Sequence, residues 1–321
     1  MRFKLGRDTV RYDVLLLILL RAAVAMGSSA AAGDAAPRIY LIRHAESRWN
    51  RSFRQWNAIG LVAERDHGLS QEGVEQGVAF AARLTAALAD QDQDALVVAD
   101  PSTPVLSSPL TRAIETAVLG LSLNLDSTAA VDATGSKSIV LVPEARESHA
   151  HWLLGRDCIG SPTSQIPSRV TAELQQHGKD RVVAAADAQQ GGALTLDLRQ
   201  CAEVWWTPGE QTESVDVRLK ALLHKLLALA EASPTKAVVL TTHSLLIRRL
   251  FKTCLEGSGE NDPAMSEEHV DLGTELASES VCNCGCIAVD LLPGGFISRP
   301  RLVFGTPRPG SRLVTTTTPM S

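Results

Sequence analysis

The sequence predicts an α/β fold, a three-layer sandwich with a mostly parallel central sheet covered by helices on both faces. Three observations carry that expectation. Short apolar runs such as Arg38–Arg43 and Ala237–Thr242 have the unbroken apolar character of strands buried on both sides. Longer amphipathic segments alternate with them; in Thr212–Ala232 the residues Val215, Leu219, Leu222, Leu223 and Leu226 share one helical face. Polar residues capable of chemistry also fall just past the strands, where open parallel sheets form their ligand sites.

Taken in order, Arg38–Arg43 is the first strand and runs into His44-Ala45-Glu46-Ser47. Ser70 is placed to cap a helix that continues through Val74, Val78, Ala81, Leu84 and Leu88. Val105–Ser108 is a second strand, with Pro109 at the first turn of a helix reaching Leu119. Ser138–Val142 is a third strand and Ala237–Thr242 a fourth, followed by a helix over Leu245–Thr253. Ile287–Leu292 reads as the final strand. These elements define one domain over 37–304. Within it, about 155–200 carries clusters of Gly, Pro, Ser and Gln, and reads as an insertion or lid over the sheet.

Both ends differ in kind from this domain. Arg2, Lys4, Arg7 and Arg11 precede the apolar run Val14–Leu20, and Ala-rich sequence follows. That order makes 1–36 a targeting or signal-like segment, secretory or organellar, with a cytoplasmic protein expected if translation starts at Met26. The run is far too short for a stable membrane span, so none is expected in the mature protein. The tail, 305–321, is rich in Pro, Thr, Arg and Gly and is expected to be disordered.

Composition narrows the function. Hydrophobic residues make up 45% and charged residues 21% of 321, which is enough for a sizeable core. A net charge of −5 argues against a general nucleic-acid binder, so an anionic partner would have to be held by a local cluster of arginines. Six cysteines form no disulfide framework. Cys282, Cys284 and Cys286 alternate, which on a strand places all three on one face as small buried hydrophobes; a closed zinc site would need a fourth ligand.

His44 follows the first strand, Arg112 lies beyond the second, Glu147 beyond the third and His243 beyond the fourth. A parallel sheet brings such residues to one edge. Arg43 and Arg112 can offer planar forks of donors to phosphate oxygens. A neutral histidine beside them can attack phosphorus once those oxygens are neutralised, and a second histidine, if protonated, adds positive charge. A protonated carboxylic acid can donate to the leaving alkoxide and then activate water. The scheme needs no metal and no cofactor.

Leu41-Ile42-Arg43-His44-Ala45-Glu46-Ser47-Arg48-Trp49-Asn50 resembles the Arg-His-Gly-Glu signature of the histidine phosphatase superfamily, the phosphoglycerate mutase-like proteins. Further stretches are similar to that family's, in its order. They are Asp66–Gly73 with Gln76, Ser107-Ser108-Pro109-Leu110-Thr111-Arg112-Ala113 with Thr116-Ala117, Glu213-Ser214 with Arg218, and Thr242-His243-Ser244. Val204–Pro208 is similar to a stretch of the plant and fungal members, and the resemblance spans about residues 38 to 292. It implies that His44 accepts the phosphoryl group, that Arg43 and Arg112 hold it, and that His243 supports its oxygens. It also implies that Asn50 bonds the phosphoryl group or substrate, and that Glu147 is the acid, with Glu144 the alternative.

Two departures stand out. Ala45 occupies the usual glycine position, and Trp49–Arg65 is longer than in small members. The expected activity is hydrolysis of a small phosphomonoester. A mutase is the alternative within the family, disfavoured because no Glu-Arg-x-Tyr-Gly-x-Leu stretch follows Arg112. An inactive phosphate-binding scaffold is the alternative outside catalysis. His67, His149, His151 and His224 read as structural or surface residues, and Trp205 and Trp206 as core or lid packing. Arg48, Arg51 and Arg54 read equally as a basic rim or a solvated face. Nothing in the sequence fixes the oligomeric state or the substrate.

Overall fold

The computed structural model describes residues 36–62, 64–121, 138–148, 158–179, 183–185, 194–206, 210–255 and 266–305. The first half contains β1 (Arg38–Arg43), α1 (Arg48–Arg54), α2 (Ala58–Val62), α3 (Gln71–Ala89), α4 (Gln93–Ala99), β2 (Val105–Ser107), α5 (Thr111–Leu121) and β3 (Ser138–Leu141). After them come α6 (Ile166–Gln176), β4 (Val183–Ala185), β5 (Leu194–Asp197), α7 (Thr212–Ala232), β6 (Ala237–Thr242), α8 (Ser244–Cys254), α9 (Glu267–Ser278), β7 (Cys286–Leu292) and β8 (Phe296–Phe304). The strands form one eight-stranded sheet in the order β4-β5-β3-β2-β6-β1-β7-β8. All pairs from β4 to β1 are parallel, and β7 and β8 close the edge antiparallel.

Side-chain alternation divides the core between two faces, as a buried strand requires. Tyr40 and Ile42 of β1 pack with Val74, Phe80 and Leu84 of α3 and Ile114 and Val118 of α5. Ile39 and Leu41 point the other way, toward Leu219 and Leu222 of α7, Ile247 and Leu250 of α8, and Leu272 of α9. The expected sandwich, helices on both faces of a mostly parallel sheet, is the architecture of the chain. No helix among the described residues is long and apolar enough to cross a membrane.

Local differences from the sequence reading have physical reasons. Ile287–Leu292 is not the last strand: β8 follows across a turn in which Gly294 and Gly295 have φ of 83° and 79°. Arg299, Pro300 and Arg301 interrupt its apolar run, and an edge strand tolerates both proline and exposed charges. Part of the stretch read as lying over the sheet instead extends it, since β4 and β5 are its outermost parallel strands on that side. The helix expected from Pro109 begins at Thr111, where Asp66 Oδ1 accepts from the Thr111 backbone N–H at 2.8 Å. Of the alternating cysteines only Cys286 lies on a strand; Cys282 and Cys284 precede it, and Cys284 has a φ of 56°. Cys284 and Cys286 are buried free thiols, and burial pushes Cys284 up to about 12. The signal-like segment up to residue 35, the tail from 306, His149 and His151 lie outside the described residues.

Every residue of α5 is buried, including the charged Arg112 and Glu115. Glu115 Oε2 accepts from the Leu69 backbone N–H at 2.7 Å. Burial, reinforced by the nearby Glu173, raises its carboxyl from the ordinary 4.5 to about 8. The folded chain therefore keeps a proton there that the unfolded chain loses, and stability present below 4.5 declines as pH rises through about 8. Glu115→Gln should remove that component, so its melting temperature should fall less over this range, by several degrees. Parallel declines for variant and wild type in thermal unfolding would contradict the assignment.

Candidate active site

The site forms where β1, β6 and β2 end together. Arg43 pairs with Thr242 and Ser107 with Thr241. The ladder continues one step further, with His44 N–H donating to Thr242 O and Ser108 N–H to Thr241 O, each at 2.9 Å. His44 and His243 therefore leave neighbouring strands at the same level, and their ring centroids are 5.0 Å apart.

His44 is fully enclosed, and its ring is fixed. Nδ1 lies 2.6 Å from the carbonyl oxygen of Ala45, which can only accept, so Nδ1 carries the proton. Nε2 is left with its lone pair, onto which Arg112 Nε donates at 3.3 Å. Burial, then Arg112 and Arg43, hold the imidazole well below the ordinary histidine range. The result is a neutral histidine with a directed lone pair among cationic groups. Such a nitrogen can attack an electrophile that brings negative charge with it.

The loop carrying His44 is clamped from two sides. On one side, Glu46 N–H donates to Gln76 Oε1 at 2.9 Å, and Ser70 Oγ donates to Glu46 Oε1 at 2.7 Å while capping α3 through Gly73 N–H. A Cβ on Gly73 would lie 2.0 Å from the Glu46 carbonyl oxygen, so the residue must be glycine for the loop to come this close. On the other side, the turn before β7 grips the backbone: Arg43 N–H donates to Gly285 O, Cys284 N–H to Arg43 O, and Asn283 Nδ2 to His44 O, each at 3.0 Å. Arg43 Nη1 reaches Val281 O at 2.5 Å in the same turn. Ala45 is not among the described residues of positive φ, which explains why a side chain is tolerated at the usual glycine position. Its N–H donates to Thr116 Oγ1 at 2.9 Å.

Arg112 sits on the first turn of α5, whose start is fixed by Asp66. That carboxylate accepts from Thr111 N–H and Oγ1 and from Ser161 N–H and Oγ, at 2.8 to 3.0 Å. His243 Nε2 lies 2.8 Å from Ser108 Oγ, while its Nδ1 is buried without a hydrogen bond among the described residues. Burial and Arg112 lead in holding His243 well below the ordinary range. It is thus neutral at rest.

Glu147 is 8% exposed, and its Oε1 accepts from Ser148 N–H at 3.0 Å and from Leu246 N–H in the first turn of α8 at 3.1 Å. Burial raises its carboxyl, against the opposing pull of Arg112 and Arg43. Glu144 behaves differently: Lys225 of α7 donates to its Oε1 at 2.7 Å. Glu147 therefore lies buried within the electrostatic influence of the arginines, whereas Glu144 is tied into an ion pair with α7.

Asn50 is the N3 residue of α1 in a capping box, its Oδ1 accepting from Ser47 N–H at 3.2 Å. That bond uses its carbonyl oxygen and leaves the Nδ2 donors as the part that can meet a ligand. Arg48 pairs with Glu64 and Glu173, and Arg54 with Glu46 and Glu72, so both belong to ion-pair networks, with Arg51 and Arg54 exposed. His67 is buried with Nε2 3.1 Å from Gly60 O, as a structural histidine would be. Trp205 is buried against Gly160 and donates to Ser161 O at 3.0 Å, which makes it packing. Beyond the residues the sequence predicts, the site also holds Ser108 and Thr116, both in the Ser-Ser-Pro stretch, and Asn283, which no local pattern marks. No group of three or more metal-binding side chains occurs among the described residues.

Residues 39–130 match the family model described as the histidine phosphatase superfamily (branch 1). The matched span holds Arg43, His44, Asn50 and Arg112 and ends before Glu147 and His243. Members of the superfamily are generally phosphatases or mutases. Similar solved structures include the mycobacterial glucosyl-3-phosphoglycerate phosphatase, at 21% identity and TM-score 0.41 over 84% of this chain and 99% of that one. A phosphoserine phosphatase from Entamoeba histolytica is 17% identical, with TM-score 0.39 over 84% and 98%. A phosphoglycerate mutase from Bacillus anthracis is 17% identical, with TM-score 0.39 over 83% and 92%. No curated protein matches this sequence.

Because Gly73 lets α3 approach the Glu46 carbonyl, Gly73→Ala should push the His44 loop out of place. We expect a loss of roughly 1–3 kcal/mol in stability from overpacking, together with reduced activity. Denaturant unfolding beside an activity assay checks this; a variant of native stability and activity would contradict the close packing.

Proposed function

We propose that this protein is a phosphomonoesterase that hydrolyses small phosphate esters through a phosphohistidine on His44. The observation that carries the reading is the state of His44: Nδ1 tied to the Ala45 carbonyl, and Nε2 presented beside Arg112.

In this reading the substrate phosphate enters between Arg43, Arg112 and His243, and Arg112 turns its donors from Nε2 to the phosphate oxygens. The Nε2 lone pair forms a bond to phosphorus while the ester P–O bond breaks. Glu147 gives its proton to the departing alkoxide. Arg43 and Arg112, with His243 taking a proton from solvent as the anionic phosphate binds, balance the equatorial oxygens. Glu147, now a carboxylate, takes a proton from water as that water attacks phosphorus and the bond between phosphorus and His44 Nε2 breaks. Inorganic phosphate leaves, with His44 and protonated Glu147 restored. Asn50 Nδ2 is assigned as a further donor to the substrate. None of these steps calls on a metal or a cofactor.

Phosphate release from a panel of phosphomonoesters, with His44→Ala beside the wild type, tests the reading. Turnover should depend on His44, with the variant's rate lower by at least about 10³-fold and its fold intact. Comparable release by the variant, or silence of the folded wild type across the panel, would overturn it.

The acid–base reading also fixes a pH profile. His44 must be neutral, and its lowered pKa keeps it so through the ordinary value of 6.5, so kcat/KM should not drop there on acidification. Glu147 must be protonated, and its raised pKa puts the alkaline loss above the ordinary carboxyl value of 4.5. A bell with its acid limb at the ordinary histidine value would contradict the assignment.

A further inference from the structure

Glu147 ends a short stretch, Pro143-Glu144-Ala145-Arg146-Glu147, that leaves β3 through a single 3-10 turn, Pro143–Ala145. Such a turn leaves carbonyl acceptors unpaired, and here three successive ones are taken by side chains from other elements. Arg218 Nη1 of α7 donates to Glu144 O at 2.6 Å and to Arg146 O at 2.9 Å, and Thr242 Oγ1 donates to Ala145 O at 2.8 Å. The guanidinium is itself held, with Nε and Nη2 donating to the two oxygens of Glu210 at 2.9 and 2.7 Å. Arg146 Nη2 donates to Glu210 as well, at 2.7 Å. The side chains of Arg218 and Glu210 are 7% and 5% exposed, so the pair is almost wholly withdrawn from water.

Burying an ion pair costs desolvation that its own attraction barely offsets, so the pair is weak as a stability device. Its geometry is specific instead. The guanidinium joins one carboxylate to two backbone carbonyls that flank Ala145, immediately before Glu147. A lysine, with one nitrogen, cannot make both sets of bonds.

We propose that Arg218, fixed by Glu210, is a positioning residue that sets the Glu147 carboxyl for proton transfer to the leaving group. The inference rests on the reading of Glu147 as the acid. Without the clamp, the turn gains freedom, the carboxyl leaves its place between the α8 N-terminus and the arginines, and esters that need protonation suffer most. Phosphoryl capture by Arg43 and Arg112, which other elements hold, is retained.

The test compares kcat/KM on an alkyl phosphate such as glycerol phosphate with that on p-nitrophenyl phosphate, whose leaving group needs little protonation. Full-length wild type, Glu147→Gln, Arg218→Lys and the double variant are measured. Arg218→Lys should lower the alkyl value about tenfold or more and the aryl value less than about threefold. In the Glu147→Gln background it should add almost nothing to that selectivity. Equal losses on both substrates, or selectivity that adds fully in the double variant, would overturn the inference. If Arg218→Lys does not fold, Glu210→Gln is read the same way, and an unchanged alkyl-to-aryl ratio there overturns it. Failure of Glu147→Gln to show selectivity removes the acid itself; selectivity in Glu147→Gln but not in Arg218→Lys removes only the positioning role.

Discussion

The parallel register of β1, β6 and β2 is the constraint on which the site depends. Arg43 stands opposite Thr242 and Ser107 opposite Thr241, so the residues that follow leave three neighbouring strands at one height. A slip of one residue would exchange the faces of β1, sending Tyr40 and Ile42 into the core that Ile39 and Leu41 occupy. The burial of both faces therefore enforces the register, and the register brings His44 and His243 together. Hydrophobic packing on both faces of the sheet thus sets the distance between two catalytic candidates.

Onto that frame the chain imposes an electrostatic asymmetry. Two arginines and two histidines are buried together with one carboxylic acid, and burial moves their proton affinities in opposite directions. Both histidines are held low and neutral, while Glu147 is held high. Under the proposed mechanism, separating acid from base in this way lets one pocket hold a nucleophile and a proton donor at the same pH. The backbone supplies the finer control: the Ala45 carbonyl fixes which nitrogen of His44 is free, and Leu246 N–H fixes one oxygen of Glu147.

Much of the fold was legible because its signals are local. The runs Arg38–Arg43 and Ala237–Thr242 and the helix Thr212–Ala232 have the predicted bounds, and Ser70 caps α3 as its position suggested. Residues that make the site by long-range approach left no such trace. Asn283 reaches the His44 carbonyl across 239 residues, and its neighbours display only alternating cysteines. Spacing did not separate Glu144 from Glu147; the separation comes from Lys225 on a helix much later in the chain. β8 was hidden because an edge strand keeps one face polar, and β4 and β5 because they are short and lie in weakly patterned sequence.

The central claim is that His44 carries the phosphoryl group. The direct measurement is rapid quenching of the full chain during turnover of a phosphate ester, under alkaline conditions that preserve phosphohistidine, followed by mass mapping of the modified peptide. The account predicts one phosphoryl group, labile to acid and located on His44. A phosphoryl group on another side chain, or steady turnover with His44 never modified, would contradict it.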